Sequence, residues 1–477
     1  MSDSFLPGDR YDDALRRLVA PVDWCNPVPA RQYNLVVVGG GPAGLVCAAG
    51  AAGLGAKVAL IERGSLGGDC LNVGCVPSKT LMRSARIVAE LRRATHFGIR
   101  ATEPTVDFAA VMQRVRSVRA GLAPHDSAER FRALGIDVFL GEGRFRDDES
   151  IEVNGAVLNF RKAVIATGTR AAIIPSPLSS AVPVYTNESI FTLTALPQRL
   201  LVIGAGPVGC ELGQALARLG SVVTLIAKGG RVLPREDADA AELLATALKA
   251  DGVAILPEVP AGFAADAVLM AVGRVPNVES LNLPAAGIAY DGTAGVTVDE
   301  RLRTTNRRVF AAGDVAAKMP HFTHAADAMA RVVLRNALFL GRAKFDPQSI
   351  PRCTYTEPEV ASLGDTSGGN RVLRVELAEL DRGATDGAGG FVKLFLAAKS
   401  DRILGATVVG PHAGEIIGTH SLAQAHHLGA RAFSSTVFPY PTYTESLRKL
   451  GDQFNRERLT PWVARLMRGW LRWTRTS

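Results

Sequence analysis

Short hydrophobic runs alternate with segments of helical length in the first half of the chain. Residues 35–38 are Leu-Val-Val-Val, an alanine-rich segment follows, and the next hydrophobic run covers residues 57–61. Runs of four to eight apolar residues separated by helical segments are typical of parallel strands that are buried on both faces. The pattern therefore predicts an α/β fold.

The same pattern occurs a second time. A strand is predicted at residues 200–203, a helix ends at Leu219, and another strand covers residues 222–226. In both copies a glycine-rich turn follows the first strand. Such glycines let the backbone approach a pyrophosphate at the start of the helix. The glycines of these predicted nucleotide turns are Gly39, Gly41 and Gly44 in the first copy and Gly204, Gly206 and Gly209 in the second.

The two copies differ where their second strand ends. Glu62 ends the strand in the first copy, and a carboxylate there can hold a ribose hydroxyl. Ala227 has this place in the second copy, and Lys228 and Arg231 follow it. Without the carboxylate, the two cations can attract a 2′-phosphate, so we expect NADPH rather than NADH. The alternative is that both are ordinary surface charges.

Two cysteines, Cys70 and Cys75, stand five positions apart just after the first nucleotide turn. A disulfide needs Cα atoms about 4.4–6.8 Å apart, which roughly one helical turn supplies. The start of a helix also favours a thiolate. The spacing is therefore compatible with a dithiol that opens, closes and passes electrons to a flavin. A structural bridge or two inert thiols remain the alternatives.

Residues 67–79, with these two cysteines and Lys79, resemble the flavin-dependent pyridine nucleotide–disulfide oxidoreductases (class I), which include glutathione reductase, dihydrolipoyl dehydrogenase and mercuric reductase. The resemblance covers about residues 34–455 and is greatest to mercuric reductase-like members. It implies FAD at the first turn, a nicotinamide nucleotide at the second, and a homodimer. The implied fold is α/β, with two Rossmann-like domains and a C-terminal α+β dimerisation domain.

The resemblance also implies a domain order. The expected segments are an N-terminal extension (1–31), an FAD-binding domain (32–196 and 275–345), an NAD(P)-binding domain (197–274), a dimerisation domain (346–455) and a basic amphipathic tail (456–477). Within the dimerisation domain, strands are predicted at residues 391–396 and 403–409 and a helix at residues 412–429.

Residue roles carry over from the family by position. Cys70 would exchange with the substrate, Cys75 would lie against the flavin, and Lys79 would lie near the flavin and pair with Glu211. Taken singly, Lys79 could instead be a solvent-facing lysine. Further cofactor-binding positions implied by the resemblance are Thr167, Gly168, Gly273 and Asp314. An aspartate such as Asp314 could also serve only as a turn or helix cap.

The C-terminal segment bears on the electron acceptor. Disulfide reductases of the family carry a His–Glu pair here, whereas this chain has Tyr440 in the histidine's place and retains Glu445. A phenol, with an ordinary pKa of about 10, is a poor proton shuttle near neutral pH. Mercuric reductase has the same Phe-Pro-Tyr segment, and Tyr440 could line the metal's approach or pack the subunit interface.

We therefore expect reduction of a soft metal ion or related electrophile, bound as a substrate by Cys70 and Cys75, and no structural metal. Mercuric reductase passes its ion through a C-terminal cysteine pair, but this chain has no cysteine after Cys353. The acceptor is therefore left open. A dihydrolipoyl dehydrogenase-like disulfide reductase is the second hypothesis, and a flavin-binding redox sensor or membrane-associated partner protein is the third.

The net charge and the two ends of the chain bear on the expected partners and location. The formal net charge is +8, but the arginines are spread along the chain, so a nucleic-acid partner is not expected. The start of the chain lacks the basic and hydrophobic regions of a secretory signal, which predicts a cytoplasmic enzyme.

Tryptophans and arginines in residues 456–477 occupy opposite faces of a predicted helix. This tail could lie on anionic lipid or dock on the dimer body, and we slightly favour the second because no lipid anchor accompanies it.

Overall fold

The computed structural model describes residues 8–339, 341–367 and 371–476. The first seven residues of the predicted extension, and the last residue of the predicted tail, lie outside the described residues. By their contacts the described residues divide into two compact units, one containing residues 8–231 and 248–347 and the other residues 232–247 and 348–476.

The α-helices are α1 (Arg10–Val19), α2 (Pro42–Gly53), α3 (Gly68–Asn72), α4 (Cys75–Arg93), α5 (Phe108–Leu122), α6 (Ala128–Ala133), α7 (Pro207–Leu219), α8 (Ala238–Ala250), α9 (Thr323–Leu338), α10 (Asp381–Asp386), α11 (Ala413–Ala425), α12 (Ala430–Ser435), α13 (Glu445–Glu457) and α14 (Pro461–Thr476).

The strands are β1 (Tyr33–Val38), β2 (Val58–Glu62), β3 (Asp137–Leu140), β4 (Gly143–Phe145), β5 (Ser150–Val153), β6 (Ala156–Ile165), β7 (Thr169–Ala171), β8 (Val184–Tyr185), β9 (Arg199–Ile203), β10 (Val222–Ile226), β11 (Ala254–Leu256), β12 (Ala267–Met270), β13 (Arg274–Pro276), β14 (Tyr290–Asp291), β15 (Gly295–Val296), β16 (Val309–Ala311), β17 (Arg352–Thr354), β18 (Glu359–Gly364), β19 (Arg371–Glu376), β20 (Phe391–Leu396) and β21 (Ile403–Gly410).

The first unit contains two large sheets, each with a predicted nucleotide turn after its central strand, and two small two-stranded sheets, β7-β13 and β14-β15. The first sheet has the order β3-β2-β1-β6-β5-β4, and β16 pairs with β6. The second sheet has the order β11-β10-β9-β12-β8 and its strands are parallel. The central strands β1 and β9 are buried almost throughout, as their uninterrupted hydrophobic runs require.

The second unit is built on an antiparallel sheet with the order β17-β18-β21-β20-β19. Helix α11 packs on β18 and β21, and α13 packs beside β19. Residues 232–247 belong to this unit because their acidic side chains bind its sheet. Lys393 Nζ lies 2.9 Å from Asp237 Oδ1, and Ser362 Oγ donates to Glu236 Oε2 over 2.6 Å.

These sheets confirm the predicted fold class of two Rossmann-like parts and a C-terminal α+β unit. The expected domain limits remain a prediction. One element was predicted too long: the helix expected over residues 412–429 ends at Ala425, and His427 has a left-handed φ of 55° that a helix cannot continue through. Within the described part of the chain, no helix combines the length and apolar character needed to cross a bilayer.

Candidate active site

The two candidate redox cysteines lie on neighbouring helices of the first unit. Cys70 lies within α3, and Cys75 is the first residue of α4. Both are free thiols, and they form a hydrogen bond with each other. The link between α3 and α4 ends at Gly74. The helix is therefore interrupted between the two cysteines, where the sequence analysis assumed one turn of a continuous helix.

Their surroundings shift the pKa values of the two thiols in opposite directions. The hydrogen bond from Cys70, helped by Thr323 and Lys79 and opposed by burial, lowers the pKa of Cys75 to about 6. The same hydrogen bond, together with burial, raises the pKa of Cys70. Cys75 is therefore the thiolate of the reduced pair, and Cys70 keeps its proton and donates it to the hydrogen bond.

Lys79 lies one turn after Cys75 on α4 and forms the expected ion pair. Its Nζ lies 2.8 Å from Glu211 Oε2, and the Glu211 side chain is only 7% exposed. Glu211 belongs to α7, the helix that follows the second nucleotide turn. The pair thus joins a helix carrying a redox cysteine to a helix of the second predicted nucleotide site. Its place beside a flavin stays a prediction.

The first nucleotide turn fits a bound dinucleotide. Gly39 has a φ of 110°, and a Cβ at Gly44 would overlap the Gly39 carbonyl oxygen. Helix α2 begins without a side-chain cap among the described residues, so its first N–H groups can bind an anion. The Glu62 carboxylate accepts hydrogen bonds from the N–H groups of Gly40 and Gly64, both at 2.6 Å. Burial raises the pKa of Glu62.

The second nucleotide turn repeats this backbone. Gly204 has a φ of 107°, and a Cβ at Gly209 would overlap the Gly204 carbonyl oxygen. Gly206 has open space around its Cα, and α7 also begins without a side-chain cap among the described residues. The equivalent glycine of the first turn, Gly41, is nearly as open. In both turns, a residue larger than glycine at Gly41 or Gly206 would therefore fill space that a bound dinucleotide could use.

The strand end of the second copy carries no acid. Ala227 is buried, whereas Lys228 and Arg231 are exposed. These two cations are therefore accessible to a phosphate group beside the strand end.

The remaining predicted cofactor positions lie around the crossing between the two sheets. Thr167 Oγ1 donates to the Asn277 carbonyl over 2.8 Å, and Asn277 Nδ2 donates to the Thr167 carbonyl over 2.9 Å. Gly168 accepts from Asn277 N, while Gly273 accepts from Ala172 N. Asp314 lies three residues after β16, where it accepts a long hydrogen bond from Thr169 Oγ1.

Tyr440 and Glu445 lie in the second unit and have separate partners. The exposed Tyr440 hydroxyl donates to Asp381, and this hydrogen bond raises the pKa of the phenol. Glu445 begins α13 and forms an ion pair with Arg448 at 2.7 Å. No hydrogen bond joins Tyr440 to Glu445 among the described residues. The phenol is thus even less acidic than an ordinary tyrosine.

Several contacts of the site were missed by the sequence analysis. Cys75 Sγ lies 3.5 Å from Thr323 Oγ1, at the start of α9. Asp69, the neighbour of Cys70, forms an ion pair with Arg274. Asp69 lies within residues 67–79 and Arg274 follows the predicted cofactor position Gly273, but no local pattern pairs positions 205 residues apart.

The N-terminal helix also supports the redox segment. Asp12 of α1 forms a fully buried ion pair with Arg119 at 2.6 Å, and Arg119 donates to the Asn72 carbonyl at the end of α3. The extension is therefore part of the packing around the cysteines.

Comparisons with known proteins agree with this geometry. Residues 33–262 and 257–330 match the family "Pyridine nucleotide-disulphide oxidoreductase", and residues 350–450 match its dimerisation domain. Mercuric reductase of Acidithiobacillus ferrooxidans is 34% identical over 461 residues, covering 90% of this chain and 83% of the relative. Dihydrolipoyl dehydrogenase of Thermus scotoductus is 34% identical over 472 residues, covering 90% and 98%.

A solved structure shows the same fold. The Cu(II) complex of the HOCl-induced flavoprotein disulfide reductase RclA from Escherichia coli superposes with a TM-score of 0.77 at 28% identity, covering 89% of this chain and all of that one. The protein thus belongs to the pyridine nucleotide-disulphide oxidoreductases, and it is an FAD-dependent enzyme that takes electrons from NAD(P)H.

Proposed function

We propose that this enzyme uses NADPH and FAD to reduce the Cys70–Cys75 disulfide and passes the electrons to a soft metal ion or a related electrophile. The observation that carries the proposal is the unequal pair of thiols, in which the pKa of Cys75 is lowered to about 6. A thiolate and a neighbouring thiol are suitable ligands for a thiophilic ion.

The first nucleotide turn, Glu62 and Asp314 would hold FAD, and Lys79 would place a positive charge beside its ring. When bound, FAD accepts a hydride from NADPH and supplies two electrons to the disulfide. The S–S bond breaks and leaves the Cys75 thiolate and the Cys70 thiol. In net terms, one Hg(II) ion then gains two electrons, or two Cu(II) ions gain one each, while the S–S bond forms again and one proton is released.

Tyr440 supports a metal-ion acceptor over an organic disulfide. Reduction of a disulfide releases thiolates that need a proton donor near neutral pH, and the hydrogen bond to Asp381 raises the pKa of this phenol. A metal ion needs no such donor. The second candidate, a dihydrolipoyl dehydrogenase-like activity, is favoured by the 34% identity to that enzyme along nearly its whole length.

Steady-state oxidation of NADPH by the holoenzyme with Hg(II), Cu(II), quinones, lipoamide and glutathione disulfide distinguishes these functions. We expect turnover with Hg(II) or Cu(II), loss of turnover in Cys70→Ala and Cys75→Ala, and no loss in Cys25→Ala, which removes an exposed thiol elsewhere. High turnover with lipoamide would replace the metal assignment by disulfide reduction. No turnover with any acceptor would indicate a redox sensor.

NADPH preference is part of the proposal and is supported by the buried Ala227 and the exposed Lys228 and Arg231. A higher kcat/KM with NADH than with NADPH would contradict it.

The dimerisation domain supports a homodimer. We also infer a cytoplasmic location without a nucleic-acid partner; fractionation that recovers the enzyme outside the cytoplasm would contradict that location. Membrane contact through residues 456–477 is not required by this function.

A further inference from the structure

Helix α14 exposes a broad apolar face that includes three of the chain's four tryptophans. At about 100° per residue, Trp462, Leu466, Trp470 and Trp473 project from one side, with Met467 and Leu471 beside them. Each of these side chains is between 52% and 66% exposed, and the rings of Trp470 and Trp473 lie 5.1 Å apart. Such a contiguous exposed apolar surface marks an interaction site.

All the charged residues of α14 are arginines, and they lie on the opposite face of the helix. Arg465, Arg468, Arg472 and Arg475 fall within an arc of about 80° centred about 135° from the tryptophans. Two further arginines, Arg456 and Arg458, precede the helix, and no aspartate or glutamate occurs after Glu457. The segment therefore presents an apolar face and a positive face, and no acidic side chain within it offsets the charge of the arginines.

The length of the helix limits how it could meet a bilayer. Sixteen residues span about 24 Å at 1.5 Å per residue, less than the roughly 30 Å hydrocarbon core. A helix of this kind lies in the plane of the interface, with aromatic rings at the acyl boundary and arginines at the headgroups.

A second copy of the chain is a poorer partner for this surface. Docking the tryptophans on another subunit would use only the apolar face and would leave the arginines without a role. The formal net charge of +8 per chain also gives no general attraction for so basic a segment. An anionic lipid surface uses both faces at once. We propose that α14 is an interfacial helix that attaches the enzyme peripherally to membranes containing anionic lipid.

The test is co-sedimentation of the full-length holoenzyme with vesicles of phosphatidylcholine alone or with 30% phosphatidylglycerol. We expect binding to the anionic vesicles, a blue shift of tryptophan fluorescence, and little binding to phosphatidylcholine alone. Replacing the four arginines of α14 by glutamine should weaken the partition coefficient on the order of a thousandfold.

A matched variant removes four exposed arginines elsewhere in the chain. It carries glutamine at Arg144, Arg146, Arg161 and Arg307. It has the same net charge as the α14 variant, and we expect it to bind anionic vesicles within about threefold of the unaltered enzyme. NADPH oxidation should be unchanged in both variants, which confirms that they fold.

Three results would overturn the proposal. They are absence of binding to both kinds of vesicle, equal weakening in the two arginine variants, and a change from dimer to monomer in Trp470→Ala/Trp473→Ala by analytical ultracentrifugation. The last result would assign the tryptophans to a contact between subunits. Retention of the dimer together with weaker vesicle binding in that variant would support the membrane assignment.

Discussion

The two nucleotide turns of the first unit have nearly the same backbone but different side chains at the strand end beside them. Gly39 and Gly204 have φ angles of 110° and 107°, and Gly44 and Gly209 each face the carbonyl oxygen of the first glycine of their turn. Beyond the glycines, a carboxylate that accepts two backbone N–H groups stands in one copy and a buried alanine in the other. The shared backbone makes both turns fit a dinucleotide, and we propose that the difference at the strand end selects the ribose that each turn accepts.

The largest expected effect comes from adding a methyl group where each turn closes. Gly44→Ala should give protein without flavin, and Gly209→Ala should keep its flavin but lose reduction by NADPH, because the new Cβ would overlap a carbonyl oxygen in each case. The flavin absorption spectrum and stopped-flow reduction measure the two outcomes.

Gly53→Ala is the matched control, since a Cβ at the end of α2 would meet no atom within 4 Å. It should keep both functions. Loss of flavin in both Gly44→Ala and Gly209→Ala would break the comparison, because the two turns would then not serve separate cofactors.

The second prediction tests whether the side chain at the strand end selects the coenzyme. Ala227→Glu places a carboxylate where Glu62 stands in the first copy, and we expect kcat/KM for NADPH to fall about a hundredfold by repulsion of the 2′-phosphate. The value for NADH should change much less. Ala227→Gln, which has similar size without charge, controls for the loss of space at this buried position. Equal losses with both coenzymes would contradict the charge argument.

A smaller effect is expected for the exposed cation next to this position. Lys228→Ala should raise the KM for NADPH about tenfold and leave that for NADH unchanged, because a charge-assisted hydrogen bond to phosphate is lost. Lys249→Ala, at an exposed lysine of α8, should change neither value. If Lys228→Ala behaves like this control, Lys228 is only a surface charge.

The smallest effect concerns the Lys79–Glu211 ion pair, which joins the cysteine-bearing helix α4 to α7 of the second copy. Alkylation of Cys75 in the reduced enzyme should increase as the pH rises through about 6, well below the range of an ordinary thiol. Lys79→Met should shift this profile to higher pH, because Lys79 lowers the pKa of Cys75 and Glu211 raises it.

Lys79→Met/Glu211→Gln should move the profile part of the way back, since both charges are then removed. Iodoacetamide labelling at Cys75, followed by mass spectrometry, gives the profiles. An unchanged profile in Lys79→Met would mean that the lysine does not act on this thiol.

Much of the fold followed from local patterns. The hydrophobic runs predicted β10 and β20 with their observed limits, and the glycine-rich turns were expected where α2 and α7 begin. The helix ending at Ala425 was predicted too long because Leu428 continues its apolar pattern, and a single left-handed residue leaves little trace in periodicity.

The sequence by itself determined the two strand–turn–helix copies, the cysteine pair and the missing acid at Ala227, because each depends on neighbours a few positions apart. Only the tertiary structure decided that Arg274 binds Asp69 and that Thr323 reaches Cys75, 248 positions away. Hydrophobic periodicity indicates which face of an element is buried, but not which distant side chain meets it. That choice depends on how the sheets bring their loops together.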